Sequence, residues 1–188
     1  DSSIEKVTFG SGVTTIGTWS FAACNALTSI EIPDNVKSIE NGAFRDCKNI
    51  ATITFGKGVE YISEYAFYGC TSLTSIEIPD NVKGIGSGAF YGCSALTSVK
   101  WNANIERSNN GIFQNAGSIN GLSLIFGDNV RTIPNAFRQA NFLKMVTIGK
   151  SVSSIGYEAF FECKNLKVVC NLSSLQITRG EPAYGYVA

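Results

Sequence analysis

Six cysteines, fifteen acidic residues and no histidine are the raw material for chemistry in this chain of 188 residues. The missing histidine removes the commonest general base and the commonest metal ligand at once. Cys24, Cys47, Cys70 and Cys93 recur at one constant interval, and Cys163 rejoins their series after Ala116 and Ala140. Zinc ligation needs a short C-x₂₋₄-C spacing, and ligands one repeat apart on a ladder do not converge tetrahedrally, so no metal site is expected. Distance alone does not refuse a disulfide between neighbours, because one strand spacing of about 4.8 Å lies inside the usual Cα range of a bridge. The column nevertheless accepts Ala twice, and in-register Cβ vectors point the same way. Buried, reduced thiols are therefore expected. Cys170 stands off the column, and its exposure is the open question.

Glu64, Glu77, Asp80 and Glu106 supply carboxylates of the kind a two-acid hydrolase uses, but nothing lifts them above solvated turn and face residues. Gly84-Ile85-Gly86-Ser87-Gly88 superficially matches a phosphate loop. It lacks the Lys-Ser/Thr pair and the following helix such a loop needs, and reads as turn glycine. With no nucleophile set beside a base, no catalytic residue and no cofactor is expected. Lys and Arg total 15 against 15 Asp and Glu, so the electrostatic footprint of a nucleic-acid binder is missing. At 44% hydrophobic and 16% charged residues the chain is too apolar to stay disordered. No apolar run approaches the ~20 residues of a spanning helix, so no membrane insertion is expected. Asp1-Ser2-Ser3 shows no initiator Met and no leader pattern; any signal peptide is expected to have been removed or to precede this sequence.

What positions these residues is an internal repeat. Phe21, Phe44, Phe67, Phe90, Phe113, Phe137 and Phe160 follow one another at a constant interval, which slips by one only between Phe113 and Phe137. Six positions after each comes Leu27, Ile50, Leu73, Leu96, Ile119, Leu143 or Leu166, and nine after it Ile30, Ile53, Ile76, Val99, Leu122, Val146 or Val169. A further column runs Val13, Val36, Val59, Val82, Ile105, Val130, Val152. The fifth unit is irregular twice: Ser118-Ile119-Asn120-Gly121-Leu122 carries two extra residues, and Thr132-Ile133-Pro134-Asn135 has lost one.

Within one unit, Ser75-Ile76-Glu77-Ile78 alternates polar and apolar, the period of a half-buried strand. Pro79-Asp80-Asn81 stops it, because Pro cannot donate to a ladder and Asp and Asn favour turns. A short extended Val82-x-x-Ile85 follows, then Gly-x-x-Ala-Phe and a polar link. So small a unit cannot bury its apolar residues alone, whereas stacking aligns the columns into one continuous core. Seven to eight turns at strand spacing give a rod or gentle arc roughly 35 Å long.

The pattern Leu-x-x-Ile-x-Ile-Pro-x-x-Val-x-x-Ile-x-x-x-Ala-Phe-x-x-Cys, as in Leu73 to Cys93, resembles the BspA-like class of bacterial leucine-rich repeats over residues 4 to about 170. The resemblance implies an α/β-type but predominantly β fold: a right-handed leucine-rich repeat solenoid with a concave parallel sheet and short irregular or 3₁₀ segments on the convex side. It also implies a surface or secreted protein of host-associated anaerobes, some of which bind host matrix proteins. Ser108 in place of the usual Ile, and Ala116 and Ala140 in place of Cys, depart from the pattern. The expected division is a solenoid of seven to eight units over residues 1–170 and a C-terminal cap over 171–188. Asn171-Leu172-Ser173 fits a glycosylation acceptor, read as unused in a bacterial product.

The remaining candidate is the concave surface. By register its outward pairs are Lys6/Thr8, Ser29/Glu31, Thr52/Thr54, Ser75/Glu77, Ser98/Lys100, Ser123/Ile125, Met145/Thr147 and Val168/Cys170. The last three contain apolar residues where the repeat predicts Ser, Thr or Glu. Either the cap folds over this end, or it is an exposed apolar patch of the kind that marks interaction sites. Ser123, Ile125, Met145, Thr147 and Val168 are therefore the candidate binding residues. Tyr65, Tyr68, Tyr91, Tyr157 and Phe161 form a competing set on the convex side. The expected function is a non-catalytic, extracellular or cell-surface module binding a protein or glycan, host matrix included; the alternative is a structural spacer without its own ligand.

Overall fold

The computed structural model describes residues 3–105 and 111–177. Ser108 and Glu106, like residues 178–188 of the expected cap, lie outside that range. The strands in chain order are β1 (Thr15–Ile16), β2 (Ser29–Ile32), β3 (Ser38–Ile39), β4 (Thr52–Phe55), β5 (Tyr61–Ile62), β6 (Ser75–Ile78) and β7 (Gly84–Ile85). They continue with β8 (Ser98–Trp101), β9 (Leu122–Phe126), β10 (Thr132–Ile133), β11 (Leu143–Ile148), β12 (Ser154–Ile155) and β13 (Val168–Asn171). A single 3₁₀ turn at Asn135–Phe137 is the one helical element among the described residues. The chain is thus a solenoid of parallel strands, each turn carrying one longer strand and, in most turns, one much shorter strand.

Alternation in the sequence becomes alternation in burial. In β6, Ser75 and Glu77 face solvent while Ile76 and Ile78 are buried. All pairings are parallel. The short strands align as β1-β3-β5-β7 and β10-β12, and the longer ones as β2-β4 and β6-β8-β9-β11-β13. A third side is tied without a ladder: Phe44 donates its N–H to the Ala66 carbonyl at 2.8 Å, and Phe67 to Ala89 at 2.8 Å.

The core is a set of ladders. Phe21, Phe44, Phe67, Phe90 and Phe113 stack with centroids 5.3–5.4 Å apart, and Phe137 and Phe160 extend the series at 5.9 and 6.0 Å. No polar or charged residue is buried among those described. The equal spacing follows from sequence, because a repeat of constant length returns the same side chain to the same place one strand further along.

The fifth unit corrects one part of the sequence reading. Leu143 pairs with Leu122, and Val99 pairs with Leu124. Counting from Phe113 places Ile119 and Leu122 at those two column positions; Ile119 is instead 66% exposed, and Leu122 and Leu124 take them, both buried. The inserted pair of residues is looped out before the strand, and the register shifts again between Leu143 and Met145. Two further columns hold residues with positive φ, Trp19, Gly42, Tyr65 and Gly88 at one corner and Ala23, Asp46, Gly69 and Gly92 at the next. Gly42 serves two needs there: its φ is +61°, and the Trp19 ring lies across its face, 3.1 Å from where a Cβ would stand.

Candidate functional site

The strand register brings all five candidate residues together. Ser123, Met145 and Val168 lie side by side across β9, β11 and β13, and Ile125, Thr147 and Cys170 form the neighbouring row. The second row continues backwards through Lys100 and Glu77. Along it an ion pair, Lys100 Nζ to Glu77 Oε1 at 2.8 Å, gives way to Ile125 at 37% exposure. Val168 at 49% and Cys170 are exposed as well. Ser123, Met145 and Thr147 are half-buried by their neighbours.

The described part of the C-terminal segment turns beside this face without covering it. Asn171 Oδ1 accepts from the Ser173 N–H at 3.0 Å and from its hydroxyl at 2.6 Å, and Asn171 Nδ2 donates to the Leu175 carbonyl at 2.8 Å. Leu175 and Ile177 pack against the end of the core. As far as residue 177, these two side chains are partly buried against the core and the strand face stays open.

The competing aromatics form a different surface. Arg45 sits with its guanidinium 4.4 Å from the Tyr68 ring and 5.2 Å from that of Trp19, and its Nε is 3.3 Å from Asp46. Tyr68 stacks on Tyr91 at 5.0 Å. Trp19, which the sequence does not single out as a site residue, is 49% exposed and completes the cluster. Its signal was its place one repeat before Gly42, a small residue on which a large ring can lie. Here the protein supplies its own cation to the aromatic faces, an arrangement that stabilises the corner. Tyr157, 62% exposed, stands apart near the Arg138–Glu158 ion pair of 2.7 Å.

The column cysteines are free and buried, and Cys170 is free and exposed. Each of four thiols donates to the carbonyl of the Phe one turn earlier: Cys47 to Phe21 at 2.9 Å, Cys70 to Phe44 at 3.4 Å, Cys93 to Phe67 at 3.3 Å and Cys163 to Phe137 at 3.1 Å. Burial pushes the thiols of Cys47 and Cys163 up to about 11, that of Cys93 to about 12 and that of Cys70 well above its ordinary value. A neutral, hydrogen-bonded, shielded thiol is neither nucleophile nor metal ligand. Among the described residues no three His, Cys, Asp or Glu side chains converge to hold a metal ion, and no helix is long and apolar enough to cross a membrane.

A stack of short repeated turns, with aligned Leu, Ile and Phe columns and one parallel strand face, defines a leucine-rich repeat protein. More narrowly, the chain belongs to the BspA type of leucine-rich repeat proteins, whose family model matches residues 1–120 and 60–180 in six copies. Among solved structures, a leucine-rich repeat protein of T. pallidum is 24% identical, with 82% of this chain covering 72% of that one at a TM-score of 0.65, and shares the fold. The pneumococcal vaccine antigen PcpA is 18% identical, covering 89% of this chain and 59% of its own, at a TM-score of 0.49. A leucine-rich cell surface protein of Faecalibacterium prausnitzii is 18% identical, covering 85% and 69%, at 0.47. No curated protein matches the sequence.

Proposed function

We propose that this chain is a non-catalytic binding module of a bacterial surface or secreted protein, and that it holds a protein partner on the strand face of its last three turns. The observation that carries this reading is the row Glu77, Lys100, Ile125, Thr147, Cys170, along which exposed charge is replaced by exposed apolar surface on adjacent strands. Ile125, Met145 and Val168 supply apolar contact, and the hydroxyls of Ser123 and Thr147 supply donors, the composition of an interface core and its rim. The resemblance to surface proteins of host-associated anaerobes supports an extracellular setting and host matrix proteins as the first partners to try.

Surface capture of the module on a panel of immobilised extracellular matrix proteins tests this. Met145→Glu is expected to weaken capture about tenfold or more, the consequence of desolvating one unpaired charge, while Tyr68→Glu leaves it unchanged. Loss with Tyr68→Glu alone moves the site to the Arg45 cluster. No capture across the panel favours the spacer alternative.

A further inference from the structure

The long-strand face is parted at one place. β2 pairs with β4, and β6 starts a separate sheet, with no ladder joining β4 to β6. On the neighbouring side the same turns stay zipped, since β5 pairs with both β3 and β7. The cause lies in the two turn sequences. Gly56 and Gly58 let the third turn close hard against the second: a Cβ on Gly58 would stand 1.8 Å from the Asp34 carbonyl oxygen, and one on Gly56 2.4 Å from the Pro33 carbonyl carbon. The fourth turn has Pro79 at the position of Gly56, with no N–H to offer back. The bond leading into this pair is correspondingly long, Thr74 N–H to the Ala51 carbonyl at 3.4 Å, against 2.8 Å for Ala51 to Thr28 and 2.9 Å for Thr97 to Thr74.

The parted strands frame a cleft of about 600 Å³, within the range of small-molecule sites. Its floor reaches the core column at Ile53 and Ile76, of which Ile53, at 8%, is the most exposed member of the column from Ile30 to Val146. Around that floor stand Thr54, Lys57, Glu77, Asp80, Lys100 and Asn102. The Glu77 carboxylate accepts from Lys100 Nζ at 2.8 Å and from Asn102 Nδ2 at 2.7 Å, which holds both partners in place. Two cations face two carboxylates, so the cleft has no net charge to recruit an anion or a cation. An extended peptide does not fit as an added strand, because the paired β5 and β7 hold the turns one strand spacing apart. A narrow apolar floor ringed by carboxylate, amide, ammonium and hydroxyl groups suits a ligand with an apolar C–H face and a rim of hydroxyls.

We propose that the cleft between β4 and β6 is a subsite for a neutral carbohydrate, with a pyranose ring laid over Ile53 and Ile76 and its hydroxyls shared among Thr54, Glu77 and Asn102. This site lies apart from the face of the last three turns and stands or falls separately.

The test is saturation-transfer NMR and calorimetry on the intact chain with neutral trisaccharides (maltotriose, cellotriose, xylotriose, mannotriose and tri-N-acetylchitotriose), beside sialyllactose and trigalacturonic acid. At least one neutral sugar is expected to bind saturably with millimolar or tighter affinity. Thr54→Trp, which places a large ring over the cleft from an exposed strand position, and Asn102→Ala, which only removes an amide, are each expected to weaken it about tenfold. Met145→Glu is expected to leave it unchanged. Asn102→Ala decides the matter if Thr54→Trp does not fold. Absence of binding by every neutral sugar, preference for the acidic ones, or binding that survives the substitutions overturns the proposal.

Discussion

Phe44 and Phe67 occupy the same place in neighbouring turns and stack with their ring centroids 5.3 Å apart and their planes 3° from parallel. Each ring is wholly buried and touches its counterpart in the turns before and after. Emptying one place therefore opens a void with neighbours on both sides that cannot collapse into it. Phe67→Ala is expected to cost about 3–5 kcal/mol. Glu77→Ala, whose ion pair is more than half exposed, is expected to cost well under ~1 kcal/mol. Denaturant midpoints of the two variants check this, and equal shifts would contradict the ladder.

The thiols give a chemical readout of the same core. Alkylation of the native protein is expected to modify Cys170 alone, and unfolding without reductant is expected to release Cys24, Cys47, Cys70, Cys93 and Cys163, which mass spectrometry counts. A shortfall among the released thiols would mean that bridges exist.

The raised thiol pKa values also set a pH dependence. Below the ordinary value of 9.0, folded and unfolded chains both keep these protons and stability is whole; as pH rises toward about 11 and 12, the unfolded chain gives them up while the folded one does not. Each such thiol then removes up to ~1.4 kcal/mol per pH unit. Urea melts at pH 8 and in the window above 9 are expected to show stability falling, and Cys93→Ala is expected to flatten the decline.

Close approach of the second and third turns makes Gly58→Ala destabilising by at least about 1–3 kcal/mol, since the added methyl meets backbone and not a movable side chain. Gly10→Ala, where nothing lies within 4 Å of the new Cβ, is expected to be neutral or slightly stabilising. Thermal midpoints of the pair separate crowding from backbone entropy.

The irregular fifth unit supplies a further pair. Ile119→Ser is expected to fall within ~0.5 kcal/mol of the parent, and Leu122→Ala to cost about 2–5 kcal/mol. A cost at Ile119→Ser as large as that at Leu122→Ala would restore the column assignment that counting from Phe113 suggests.

Much of the fold was legible because each column is occupied by one residue type at one spacing: Phe44, Phe67 and Phe90 need only be lined up to show a stack. Ile119 was misplaced because counting carries no information about where an insertion is absorbed, and the loop took it up before the strand. The strand face was legible as an alternation, so the outward positions of Ile125 and Val168 could be read; whether they were covered depended on where the following residues turn. The gap between β4 and β6 was hidden because it arises from how Gly56 and Gly58 draw one turn toward another, a difference of approach that leaves every column intact. The left-handed corner positions were equally hidden, since Trp19, Tyr65 and Glu158 occupy them as well as glycine does.

The strands of each turn are laddered to those of the next, about one repeat away in sequence, while the remaining backbone bonds are divided between local corner bonds and further links to the neighbouring turn, and the turns are joined in series. A pull applied to the two ends acts on these ladders one after another instead of on all of them together. The unit that yields under tension is then a single turn, and each one released adds one repeat of slack, about 75 Å of extended chain after the lost strand spacing is subtracted. In a flow or against a retreating surface, such a chain lengthens in steps and dissipates load while the turns still stacked keep their shape.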